Sequence, residues 1–133
     1  MKEEIVKRIL EAYGDNVLSI VFYGGHLKGL IDEIDVLVIL REHEDPVKVN
    51  RLAEFITKVK DPVERELGIK LAFELYTLEE MENFHASLLD ILKCHEVAYD
   101  PEGYFRRLAE EVRDPYKNLK RMKYLTTIEV VRG

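Results

Sequence analysis

The residues best suited to chemistry lie in two neighbouring stretches, Phe22-Tyr23-Gly24-Gly25-His26-Leu27-Lys28-Gly29 and Glu33-Ile34-Asp35-Val36-Leu37-Val38. The first is an apolar, β-rich run that ends in two glycines. Their amides can approach a ligand closely because no Cβ intervenes. The second begins a strand with carboxylates at i and i+2, which places both on one face. Two like charges about 5 Å apart repel by about 3 kcal/mol at an effective dielectric of about 20. A strand that starts this way is a liability unless a cation lies between the acids, and a divalent ion with hard oxygen ligands is the natural choice. Backbone donors for phosphate and carboxylates for Mg²⁺ are together what metal-assisted phosphoryl or nucleotidyl transfer requires. The plainer readings are a tight turn for the glycines, a capping acid for Asp35 and a solvated loop acid for Glu33.

The surrounding elements must hold these stretches in place. Ile5, Val6, Ile9, Leu10 and Tyr13 form one stripe of a helix from Glu3 to Tyr13, which Gly14 ends. Val17 to Tyr23 and Ile34 to Leu40 are continuous apolar runs, as expected of buried strands. Helical spacing runs from Pro46 to about Lys60, where Asp61-Pro62 breaks or restarts the helix, and Gly68 closes the second piece. From Ile69 to Tyr76 the chain alternates, with Ile69, Leu71, Phe73 and Leu75 on one face and Lys70, Ala72, Glu74 and Tyr76 on the other. Thr77 and Glu80 form a capping box that predicts a helix from Leu78 to about Lys93. A short strand is expected at Val97 to Tyr99. Asp100-Pro101 reads as an N-cap and N1 proline before a helix to about Arg113. Leu125 to Val131 reads as a last strand or as a tail that pairs with another chain. Alternating helices and strands predict an α+β domain, a small mixed β-sheet flanked by helices, with helices mostly on one face and a cleft on the other.

A strand ending in hydrophobic-Gly-Gly, a loop with a further glycine, and acid-hydrophobic-acid-hydrophobic opening the next strand resemble the minimal nucleotidyltransferases of the polymerase-β superfamily. That group includes kanamycin nucleotidyltransferase and the antitoxin halves of bacterial and archaeal toxin–antitoxin pairs. The likeness is best from Val17 to Leu40 and extends loosely to about Tyr99. It implies a palm-like nucleotidyltransferase fold, with Gly24 and Gly25 on the nucleotide phosphates and Lys28 in place of a loop arginine. It implies that Glu33 and Asp35 bind Mg²⁺ in a two-ion site, and that Glu74, otherwise an exposed strand residue, is the third acid. The sequence departs from the family pattern at Gly25, where serine is usual, and at Glu33, where aspartate is usual. Its seven-residue loop, His26 to Asp32, is also shorter than is usual.

Two functions follow from the resemblance. One is transfer of a nucleoside monophosphate from an NTP to a hydroxyl of a protein, small molecule or RNA. The other is that of a catalytically weak or inactive partner protein, antitoxin-like, acting on a helical partner or a second copy of itself. The small size and the three departures favour the latter.

The rest of the chain bounds these readings. Its 133 residues make one domain with a basic extension over 114–133, and 47% hydrophobic and 35% charged residues are a globular composition. The net charge of −6 is uneven: −10 before Tyr104 and +4 from there on. Arg113, Lys117, Lys120, Arg121 and Lys123, interleaved with Tyr116 and Tyr124, could bind RNA or an acidic partner, or form a solvated face. No apolar run approaches the about 20 residues of a membrane span. The acidic start, Met1-Lys2-Glu3-Glu4, argues against export and for the cytoplasm. A lone cysteine, Cys94, excludes an internal disulfide and reads as a small core residue. His26 reads as a solvated loop histidine, and His43, His85 and His95 lack metal-ligand spacing. High Glu, Lys and Ile with few Asn and Gln is a thermophile-like usage.

Overall fold

The structure, a computed structural model, describes residues 1–28, 33–83 and 86–113. Helix α1 (Lys2–Tyr13) leads through a short 3₁₀ turn to strand β1 (Val17–Tyr23). A second 3₁₀ turn, Gly25–Lys28, follows β1. Next come β2 (Glu33–Leu40), α2 (Lys48–Phe55), α3 (Asp61–Leu67) and β3 (Lys70–Thr77). The chain continues through α4 (Leu78–Met81), α5 (Ala86–Lys93), β4 (His95–Tyr99) and α6 (Tyr104–Arg113). The four strands form one mixed sheet in the order β3-β2-β1-β4; β1 runs antiparallel to β2 and β4, and β2 runs parallel to β3.

The central strands β1 and β2 are apolar on both sides because both sides are covered. On one face Ile20, Phe22, Ile34, Val36, Val38, Leu71 and Leu75 pack with Ile5 and Ile9 of α1, Phe55 of α2, and Val59 and Val63 beyond it. On the other, Leu18, Val21, Leu37 and Ile39 pack with Met81 of α4, Leu88 and Ile91 of α5, and Phe105 and Leu108 of α6. Helices thus lie on both faces, not mostly on one. An open cleft along a whole face is ruled out by the apolar side chains that the inner strands present to both.

Several boundaries differ from the expectations for local reasons. The α-helical pattern restarts at Asp61-Pro62: α2 passes through a π turn, Ile56–Lys60, and α3 begins at Asp61 with Pro62 in its first turn, where its missing N–H costs little. Gly68 closes α3 in the left-handed conformation, φ 66°. The Thr77–Glu80 capping box forms as expected, with both reciprocal bonds, but its helix ends at Met81. Pro101 is not at N1. The Asp100 carboxylate reaches across the turn to accept from the amides of Phe105 and Arg106, each at 3.1 Å, and α6 begins only at Tyr104. The same carboxylate accepts from buried Ser19 Oγ at 2.7 Å, tying α6 to β1. The proposed strand at Leu125 to Val131 and the basic run beyond Arg113 lie outside the described residues. None of the helices among the described residues is long and apolar enough to cross a membrane.

Candidate functional site

The strand register places the expected acids on one face of the sheet. Tyr23, the last residue of β1, lies opposite Asp35, and Asp35 lies opposite Ala72 of β3. Leu37, next on the Asp35 face, lies opposite Glu74. Directly opposed residues point to the same side of a sheet, so Tyr23, Glu33, Asp35 and Glu74 share one face. It is the face of Leu37 and Ile39, at the end where β1 finishes and β2 begins. Glu33 is exposed there and Asp35 half-buried.

Gly24 turns the chain out of β1 with φ +89°, a conformation that L side chains rarely adopt. The Asp35 carboxylate is packed against it. A Cβ on Gly24 would collide with Asp35 Oδ2 and stand 3.4 Å from its Cγ. The paired-glycine bend and the acid therefore face each other, as the sequence reading required. The amide of Gly24, however, donates to the carbonyl of Cys94 at 3.2 Å, and its own carbonyl accepts from Leu27 at 3.3 Å. The first glycine thus serves to admit Asp35 and to bind the turn to the end of α5. Its amide is not turned toward a ligand, which is a correction to the expectation that both amides meet phosphate. Gly25 begins the 3₁₀ turn. The side chains of His26 and Lys28, and all of 29–32, lie outside the described residues.

The acids share a field. Burial, then the charges of Glu33 and Glu74, push the Asp35 carboxyl above its ordinary range. Burial, then the charges of Glu74 and Asp35, likewise push the Tyr23 phenol up. The Glu74 carboxylate accepts from Tyr23 Oη on Oε2 at 3.3 Å and from Tyr76 Oη on Oε1 at 3.2 Å. Among the described residues, no three His, Cys, Asp or Glu side chains converge closely enough to hold an ion. The three carboxylates share a face and a field but do not meet at one point. By chemistry they fit a hard divalent cation: all donors are carboxylate oxygens, and Asp35 carries repulsion that such a charge would relieve.

No family model matches the chain, and no curated protein matches it. Solved structures match over its full length. The chain aligns with a mutant MntA–HpeT toxin–antitoxin complex at TM-score 0.60 and 14% identity, covering 100% of this chain and 99% of that one. A toxin–antitoxin structure with AMP-PNP aligns at 0.59 and 14%, covering 100% of each chain. The complex of a tri-AMPylated HEPN toxin with MNT antitoxin, from Shewanella oneidensis, aligns at 0.55 and 13%, again over 100% of each. The chain has the nucleotidyltransferase fold. Within that fold, the Gly24 turn, the opening of β2 and the middle of β3 border one region of the sheet.

Three partners of the site were not read from the sequence. Tyr76 was on the expected face, two residues from Glu74, but nothing in its spacing marks it as a donor. Tyr23 ends its strand as an ordinary β-former, and only the register sets it beside Glu74. Cys94 is half-buried rather than a core residue, and it contributes its backbone carbonyl, on which the side chain gives no information. His95 lies opposite Tyr23 on the side of β1 away from β2 and packs edge-on against Phe105, with ring centroids 5.7 Å apart, and His43 pairs with Glu54 at 3.0 Å.

Proposed function

We propose that this chain transfers a nucleoside monophosphate from an NTP to a hydroxyl group, and that the hydroxyl belongs to a partner protein. The observation that carries the reading is Asp35 seated against the Gly24 turn, on one face with Glu33 and Glu74. A toxin-like partner protein as acceptor is supported by one of the structures of this fold, an MNT antitoxin in complex with a tri-AMPylated HEPN toxin.

Glu33 and Asp35 would hold Mg²⁺, with Glu74 as third ligand or as base. When bound, the ion supplies charge neutralisation at the α-phosphate and the leaving pyrophosphate. Gly24, with no Cβ, lets the Asp35 carboxylate seat against the turn, which fixes where this acid stands at the opening of β2. The acceptor oxygen forms a bond to the α-phosphorus, and the bond from that phosphorus to the bridging oxygen breaks. The electron pair leaves with pyrophosphate, and the acceptor's proton passes to Glu74 or to water. Glu33 and Asp35 need to be ionised for this, so their mutual repulsion is the cost of having the site ready.

The test is transfer of label from α-phosphate-labelled ATP to a co-expressed helical partner. Transfer should require Mg²⁺ and should fall by at least about 100-fold in Asp35→Asn, the scale expected when a ligand or charge-stabilising group is lost. Absence of both transfer and NTP binding would overturn the reading. A second reading, a partner protein that binds without turnover, is favoured by Gly25, by Glu33 and by carboxylates that do not converge. It is supported if a stable complex forms with the helical partner and is unchanged in Asp35→Asn.

A further inference from the structure

Glu74 is held in an unusual way for a strand residue. Each of its two carboxylate oxygens accepts a hydrogen bond from a different tyrosine, Tyr23 from β1 and Tyr76 from two residues further along β3. Tyr23, paired with Asp35, reaches it from across β2, and Tyr76, paired with Ile39, reaches it along β3 itself. Tyr76 is itself braced, with Lys48 Nζ standing 4.5 Å from its ring centroid and 3.8 Å from Glu80.

We propose that Tyr23 and Tyr76 are positioning residues for Glu74, a pair of phenol hydroxyls that sets where this acid stands relative to Glu33 and Asp35. The inference rests on the reading of these acids as a divalent-cation site. A glutamate on a strand has three rotatable side-chain bonds and would otherwise sample many positions. Two donors, one on each oxygen, narrow that range. The donors are neutral, and that distinguishes the arrangement from structural salt bridges elsewhere in the fold, such as Lys60 with Glu64 at 2.6 Å. A lysine or arginine in the same place would have cancelled the charge. A hydroxyl orients the carboxylate and leaves its charge available to an ion.

The experiment is Mn²⁺ binding to the full chain, read by electron paramagnetic resonance and isothermal titration, with thermal melts as the control for folding. In the Tyr23→Phe, Tyr76→Phe double variant the Mn²⁺ affinity should fall by about 10-fold, within the range expected for partners that orient ligands. In a Glu74→Gln background the same two changes should cause no further loss. Unchanged affinity in the double variant overturns the proposal, as does an equal loss with and without Glu74. Asp35→Asn separates the two levels. If it abolishes Mn²⁺ binding while the tyrosine variant does not weaken it, the cation site stands and the tyrosine role falls. If Asp35→Asn binds Mn²⁺ as the parent does, the cation site falls and the positioning role with it.

Discussion

The Asp35 carboxylate occupies the space in which a side chain on Gly24 would begin. The turn after β1 and the opening of β2 are thereby one unit, and the glycine is required twice, for its positive φ and for the absence of a Cβ.

Gly24→Ala should therefore cost more than a turn glycine does elsewhere. The backbone strain is worth about 1–2 kcal/mol, and displacement of Asp35 adds to it. A thermal melt should show a drop of about 5–8 °C. Asp35→Ala should relieve the collision but not the strain, so the two changes should be coupled by at least about 0.5 kcal/mol in a double-mutant cycle. Strict additivity would mean that the two residues do not meet in solution.

Asp35 should give the fold a pH-dependent stability. Its carboxyl is pushed above the ordinary range by burial, Glu33 and Glu74, so the folded state holds the proton more tightly than the unfolded chain. Folding stability from this group is fullest below the unfolded pKa and declines as pH rises through the higher folded one. Asp35→Asn should accordingly raise the melting midpoint near pH 7 by about 2–4 °C, and the gain should vanish below about pH 4, where the parent is protonated too. A variant that melts lower than the parent at pH 7 would contradict this.

Asp100 carries a structural load away from the site. It is buried, caps α6 through two amides and satisfies the Ser19 hydroxyl. Asp100→Ala strands those donors and should cost about 3 kcal/mol. Amide exchange should quicken first along α6. Ser19→Ala removes one partner only and should cost about 1 kcal/mol.

Arg51 ties α2 to the capping box, with its guanidinium donating to the carbonyl of Asp45 and pairing with Glu80, both at 3.0 Å. Glu80 in turn accepts from the Thr77 amide at 2.9 Å. Arg51→Met keeps most of the buried volume and removes the pair, with an expected cost of about 1–2 kcal/mol, moderated because Glu80 is partly exposed. Denaturant unfolding would measure it, and the loss should be smaller in a Glu80→Gln background.

Most of the strands and helices were legible in local patterns of residues. The apolar runs of β1 and β2, the alternation of β3, the Gly14 and Gly68 stops and the Thr77 cap are local signals, set by burial period and backbone chemistry. That Glu33 and Asp35 would share a face was legible too, because side chains on a strand repeat every two residues. Whatever depends on register or on reach was not legible there. Glu74 lies beside Asp35 only because β3 runs parallel to β2 at one particular offset. Tyr23 reaches Glu74 only because β1 and β3 flank the same strand. The Gly24 amide went to Cys94 because α5 ends against the turn. Pairing between distant segments is set by how the two faces of the sheet pack against α1 to α3 and α4 to α6, and that depends on volumes and burial across the whole domain, which no local spacing encodes.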